Sequence, residues 1–354
     1  MIRTLRAKAI AALAAVALFS GVGITGTATE AYAAPSPNGT WSYSAGSWYF
    51  YDTSNTKLTS TWIYDNGYWY YLDGQGKMLA SSWGHIGNDW YYFNASGAML
   101  SSNWLKYNDD WYYFGASGKM FENSWVLHRA EWYYFGSSGQ MLTNTWAHYN
   151  SDWYYFDSLG RMVRSKWVSA GTNWYYIDVT GKMMRFTWLL DKGNWYSLDA
   201  NGAMHANAQY VINGQLYYFY PSGTMATGWF LLDGKWRYAD SSGALVQNGW
   251  KMVDGAWYYF ADAAIYQNRT FYDQNGKYYA VDNSGLMLSS TWVTAFGDWW
   301  YMGDSGAAWT GWKKIDGYWY YFDPTKDFRM VAGTTMIIDG VEYTFYSWGG
   351  LIES

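Results

Sequence analysis

Two tryptophan series run through the sequence at one fixed interval. Trp41, Trp62, Trp83, Trp104, Trp125, Trp146, Trp167 and Trp188 lie 21 residues apart, and Trp48, Trp69, Trp90, Trp111, Trp132, Trp153, Trp174 and Trp195 each follow their partner by seven. Both series resume at Trp229/Trp236, Trp250/Trp257, Trp292/Trp299 and Trp312/Trp319, with weakened copies at Gln209/Leu216 and Phe271/Tyr278. A glycine and a methionine keep the same phase, as in Gly76/Met78, Gly97/Met99, Gly118/Met120, Gly139/Met141 and Gly160/Met162. A strict short period means one small supersecondary unit copied many times, which buries its apolar surface only against its neighbours.

Each copy reads as a β-hairpin. Asn66-Gly67, Asn213-Gly214, Asp233-Gly234, Asp254-Gly255 and Asp316-Gly317 provide the positive-φ residues of a two-residue turn, and strings such as Trp69-Tyr70-Tyr71-Leu72 make the second strand. Alternation places Tyr70 and Leu72 on one face, assigned to the core, and Trp69 and Tyr71 on the other. A lone hairpin is marginal in water, so the reading is an all-β solenoid of stacked two-stranded hairpins.

Composition narrows the function. Aromatic residues make up 23% of the chain and charged residues 14%, and the net charge is −5, so a basic footprint for nucleic acid or anionic lipid is missing. Absence of cysteine excludes disulfides and thiolate metal sites. Arg3, Arg6 and Lys8 precede an apolar run from Ala9 to Ile24, and Ala31-Tyr32-Ala33 has the small–x–small pattern of a cleavage site. Residues 1–33 are therefore read as a signal peptide and 34–40 as a short leader, giving an exported chain without a membrane span.

No catalytic constellation stands out. The mature chain holds only Glu122, Glu131, Glu342 and Glu353, most aspartates fall at turns, and His85, His128, His148 and His205 are scattered; His85 and His148 read as exposed turn residues. Gly-Lys pairs at 76–77, 118–119 and 181–182 lead into Met rather than Ser or Thr, so they are not phosphate loops. No enzyme, metal or cofactor is expected. The indoles exceed what a thin one-faced core can take, and some should line grooves between units. Uncharged ring-walled grooves suit a quaternary ammonium held by cation–π attraction or a sugar ring stacked flat.

The joint recurrence of the paired Trp, the Trp-Tyr-Tyr string and Gly-x-Met, seen at Ser82-Trp83, Trp90-Tyr91-Tyr92-Phe93 and Ser96-Gly97-Ala98-Met99, resembles the choline-binding, or cell-wall-binding, repeats of Gram-positive surface proteins. The resemblance spans 41–323. It implies a left-handed solenoid with about three hairpins per turn, retained at the cell surface by choline groups of (lipo)teichoic acid in three-aromatic boxes between consecutive hairpins. Carried over by position, these boxes are Trp41/Trp48/Tyr71, Trp62/Trp69/Tyr92, Trp83/Trp90/Tyr113, Trp104/Trp111/Tyr134, Trp125/Trp132/Tyr155, Trp146/Trp153/Tyr176, Trp188/Trp195/Tyr218, Trp229/Trp236/Tyr259 and Trp292/Trp299/Tyr321. Met78, Met99, Met120, Met141 and Met162 would form their hydrophobic floors. The boxes after Trp167/Trp174 and Trp250/Trp257 would meet Ser197 and Ala280 and be weak or absent, and Gln209/Leu216 would bind nothing.

Gly precedes the first Trp only at Trp229, Trp250 and Trp312, a departure that leaves carbohydrate as the alternative ligand. Similar aromatic repeats in glucan-binding domains of glucosyltransferases and in large clostridial toxins recognise glycans. Residues 324–354 leave the period and are read as a capping hairpin in which Tyr346, Trp348 and Leu351 close the last groove.

Overall fold

The computed structural model describes residues 38–352, so the signal-peptide reading lies outside the described residues. Every regular element among them is a strand. They fall into two compact units, one ending at Arg185 and the other beginning at Phe186. Within each unit the chain forms consecutive antiparallel hairpins, such as Thr61–Asp65 with Tyr68–Leu72 and Ser82–Ile86 with Asp89–Phe93.

Turn chemistry explains the hairpins. Asn66 and Gly67 have φ of 48° and 87°, the two left-handed residues that match the twist of the flanking strands. At the other end of the unit, the Asp73 side chain accepts hydrogen bonds from the N–H groups of Gln75 and Lys77, both at 2.8 Å. Asp157, Asp199 and Asp282 make the same closure, so these carboxylates are engaged in building turns.

Pairing sets which side chains share a face. Trp62 lies opposite Tyr71 and Tyr64 opposite Trp69, while Ile63 lies opposite Tyr70 and Thr61 opposite Leu72. Both faces pack. The face bearing Trp62, Trp69 and Tyr71 meets the Tyr91/Phe93 face of the next hairpin, with Met99 and Leu79 in the same cluster. The expected one-faced core is thus corrected: the hairpin at 61–72 is sandwiched between two others. Leu72, Phe93, Phe114, Phe135 and Phe156 are fully buried, and each such side chain contributes about 1.5–3 kcal/mol.

Backbone hydrogen bonds also join successive hairpins, from Met78 N–H to the Trp48 carbonyl (2.9 Å), Met99 to Trp69 (2.8 Å) and Met120 to Trp90 (2.8 Å). A Cβ on Gly97 would stand 2.3 Å from Met78 Cε, and φ there is +79°. The invariant phase of this glycine therefore has two causes, the turn and the methionine lying across it.

Two departures from the sequence reading concern register. In the weak copy Arg269–Tyr272/Tyr278–Val281, Thr270 pairs with Ala280, so Thr270 takes the first-Trp place and Phe271 turns into the core. Beyond residue 323 the hairpin pattern resumes after a two-residue shift: Thr335–Ile338 pairs with Val341–Thr344, and Leu351 N–H reaches the Trp319 carbonyl as a repeat methionine would.

One polar pair joins a buried Ser197 to a half-buried His205. His205 Nδ1 lies 3.2 Å from Ser197 Oγ, and its ring is 4.1 Å from that of Tyr210. Burial pushes the imidazole below its ordinary pKa, opposed by the Asp199 charge. The unfolded chain therefore binds this proton more readily. The stability contributed by neutral His205 is complete above the ordinary value of about 6.5 and is lost as pH falls from there through the folded value. Melting temperature is expected to drop between about pH 7.5 and pH 5, and His205→Leu to flatten that slope.

Candidate functional site: an aromatic cleft between repeats

Three consecutive hairpins build each cleft. The first contributes its two indoles, set edge to face: Trp62–Trp69 at 6.3 Å and 88°, Trp104–Trp111 at 6.2 Å and 84°, Trp292–Trp299 at 6.3 Å and 81°. The second contributes a tyrosine and the residue in the methionine phase. The third brings its turn to the mouth. At Trp229/Trp236 this arrangement leaves a cleft of about 470 Å³ lined by Tyr258 and Ile265 from the second hairpin and Asn283 and Ser284 from the third, with Gln267 beside them.

The tyrosine differs from the sequence assignment. Contacts from the first Trp run to the first Tyr of the following hairpin: Trp41–Tyr70 5.3 Å, Trp62–Tyr91 5.0 Å, Trp83–Tyr112 5.0 Å, Trp104–Tyr133 5.1 Å, Trp125–Tyr154 4.9 Å and Trp146–Tyr175 5.2 Å. In the second unit they are Trp188–Tyr217 5.0 Å, Trp229–Tyr258 4.7 Å and Trp292–Tyr320 4.9 Å. The expected residues Tyr71, Tyr92, Tyr113, Tyr134, Tyr155, Tyr176, Tyr259 and Tyr321 instead back the first Trp of their own hairpin, at 5.0 to 5.3 Å. Tyr218 stacks on Phe230. Strand alternation is the cause: the second Tyr shares a face with its own Trp pair, whereas the first shares the Phe/Leu face turned toward the preceding hairpin.

That correction adds two ring sets. Trp250 meets Tyr279 at 4.8 Å rather than Ala280, and Trp312 meets Tyr343 at 4.8 Å. Met99 shares a hydrophobic cluster with Trp62, Trp69 and Tyr91, and Met162 with Trp125, Trp132 and Tyr154. The two indoles of most pairs differ in exposure. Most second-series rings face solvent, Trp236 at 42% and Trp90 at 41%, although Trp69 and Trp132 are half-buried like the first series.

Further contacts carry no periodic signal in the sequence. In several copies the residue three positions after the first Trp touches the preceding first Trp, with Asp65 accepting from Trp41 Nε1 at 3.1 Å, Tyr107 5.7 Å from Trp83, and His128 5.6 Å from Trp104. Its side chain varies from copy to copy, which hid it. His85 and His148 stand in strands rather than turns, ring to ring with Trp90 (4.8 Å) and Trp153 (5.0 Å).

Several carboxylates near the clefts are engaged locally. Lys119 pairs with Asp89 at 2.7 Å and Lys182 with Asp152 at 2.6 Å, and Gln140 donates to Asp110 at 2.7 Å. The hydrogen bond to Asp89 holds the Lys119 ammonium above its usual range. These exposed pairs add little stability, but they occupy the carboxylates that precede the second Trp. Attraction for a cation in the cleft therefore rests on the ring faces. No group of three or more His, Asp or Glu placed to hold a metal ion occurs among the described residues. No helix among them is long and apolar enough to cross a membrane.

Stacked hairpins with an indole pair facing the next repeat's tyrosine define a repeat protein of the aromatic-cleft type. The sequence profile of the choline-binding repeat matches residues 80–125, 124–167, 146–188, 209–250 and 309–349, more than half of the chain, and that of a putative cell wall binding repeat matches 60–78, 187–204 and 248–263. The chain belongs to the choline-binding repeat family.

Solved structures similar to it include the modular autolysin LytC from Streptococcus pneumoniae, at 25% identity and TM-score 0.48 over 62% of this chain and 51% of that one. The match thus spans about half of the LytC chain. Others are the choline-binding domain of CbpL from Streptococcus pneumoniae (30% identity, TM-score 0.43, 53% of this chain and 97% of that one) and choline binding protein F from the same organism (24%, 0.32, 90% and 100%). No curated protein sequence matches significantly.

Proposed function

We propose that this chain is an exported, non-catalytic module that attaches to the Gram-positive cell wall by binding choline groups of teichoic or lipoteichoic acid in the clefts between repeats. One observation carries the reading: an edge-to-face indole pair closed by the next hairpin's tyrosine, with first-Trp to Tyr distances of 4.7 to 5.3 Å repeated along both units. A trimethylammonium is a sphere of low charge density that needs ring faces and no carboxylate. In this scheme 1–33 directs export, 34–40 leads into the repeats, and the hairpin after residue 330 closes the array. That last hairpin places Tyr343 against Trp312 but has Thr335 and Glu342 in the Trp places, so it completes a cleft without opening another.

If each ring face contributes about 0.5–2 kcal/mol, one cleft binds in the millimolar range, and retention on a polymer comes from many clefts at once. Titration with choline at millimolar concentration is expected to shift or quench the tryptophan emission, since second-series indoles border solvent. No change at tens of millimolar would remove the choline reading.

A second reading, glycan binding in the same clefts, is favoured at one place. The Trp229/Trp236 cleft has Gln267, Asn283 and Ser284 at its rim and no charged side chain among its lining residues, a neutral polar edge suited to sugar hydroxyls. Retardation by soluble glucan with no response to choline would select it.

A further inference from the structure

The hairpin Arg269–Tyr272/Tyr278–Val281 has neither tryptophan of the repeat, and the turn that should border its groove has changed as well. In the Trp229/Trp236 cleft that border is formed by Asn283 and Ser284, from the turn two hairpins on. For the groove at Tyr278 the corresponding turn is 323–330. An ordinary turn is short, with Leu72 bridged to Met78; here Phe322 pairs with Met330, two residues further along. The longer turn reaches back over two hairpins. Trp300, which replaces the wall tyrosine, donates from Nε1 to the Asp327 carbonyl at 2.7 Å. Tyr272 Oη donates to Asp327 Oδ1 at 2.7 Å, across 55 residues of sequence. Arg329 bridges Asp298 at 2.9 Å and Asp327 at 3.0 Å. Phe328 packs on the cluster of Tyr278, Ala280, Trp300 and Met302, with its ring 6.4 Å from that of Tyr272.

We propose that the turn at 323–330 is a built-in occupant of the groove between Tyr278 and Trp300, filling with Asp327 and Phe328 the place that a ligand takes in neighbouring clefts. The site is thereby converted into a fixed joint that takes no external ligand. Several features fit together only in this arrangement. The enlarged wall residue has an indole N–H that needs an acceptor, and the turn presents a carbonyl. Asp327 and Phe328 have φ of 54° and 62°, the left-handed pair that also makes the two-residue turns at Asn108-Asp109 and Asn150-Ser151. Tyr272 is pushed up to about 12 by burial together with its hydrogen bond to Asp327, so this tie persists across the neutral range. The methionine of the repeat is missing too, because Ala308 stands in that phase, in the same cluster as Phe328.

Hydrogen–deuterium exchange of the full chain tests the joint independently of which ligand the other clefts take. Phe328→Gly is expected to speed exchange about tenfold or more at 269–281 and 298–302 while leaving the hairpin at 61–72 unchanged. Tyr272→Phe, which removes one hydroxyl and disturbs folding least, is expected to give a smaller rise at the same segments. Unchanged exchange there in both folded variants would overturn the proposal. A choline-soaked crystal of the wild-type chain gives the second arm. Ligand seated against Tyr278 and Trp300, with the turn displaced, would overturn the proposal, and an undisturbed turn beside occupied neighbouring clefts would support it.

Discussion

Phe156→Ala is expected to destabilise the first unit by about 3–5 kcal/mol, the range for truncating a fully buried aromatic side chain. Phe156 has no solvent exposure, lies 5.5 Å from Trp125 and 6.3 Å from Tyr134, and is bridged to Met162. A two-stranded hairpin has little stability of its own, so the cavity falls in the contact that makes two hairpins stable together. Backbone pairing inside each hairpin cannot compensate, because its strands already exchange their hydrogen bonds and gain none on relaxation. Chemical denaturation followed by far-ultraviolet and fluorescence signals checks the figure. A loss below about 1 kcal/mol would mean that this ring is not part of a continuous core.

Trp236→Ala should behave in the opposite way, removing one ligand site while changing stability by less than about 1 kcal/mol. Trp236 is 42% exposed and walls the cleft with Tyr258 and Ile265. Its partner Trp229 is packed against Tyr258, Tyr238 and Phe260 at 4.7, 5.1 and 6.1 Å. Trp229→Ala is therefore expected to cost both binding and folding. Calorimetric titration of each variant with choline reads stoichiometry, and a melting curve reads the fold. Both substitutions should lower the number of sites by one, and only Trp229→Ala should lower the melting temperature by several degrees. Equal destabilisation by the two changes, with the number of sites unaltered, would mean that the indoles serve packing alone.

Much of this architecture is written locally. A 21-residue interval fixes the unit, Asn66-Gly67 fixes the hairpin turn, and the alternation in Trp69-Tyr70-Tyr71-Leu72 fixes which side chains share a face, since each depends on neighbours a few bonds away. The same alternation contains the correct wall tyrosine, but only once it is known that the Tyr91/Phe93 face looks back toward Trp62. Direction of stacking is a property of two hairpins and appears in neither alone. For that reason the sequence reading named the second Tyr where the first Tyr meets the preceding indole, and named Ala280 where Trp250 meets Tyr279.

The sequence by itself determined the repeat, its strands, its turns and the aromatic supply, because these follow from residue spacing and from conformations that Asn, Asp and Gly adopt readily. Tertiary structure alone decided which rings face each other, which indole stays exposed, and where a two-residue extension at 323–330 returns to Tyr272. Such contacts join residues dozens of positions apart in the chain. They depend on the distance and direction between hairpins, which packing of the assembled array sets.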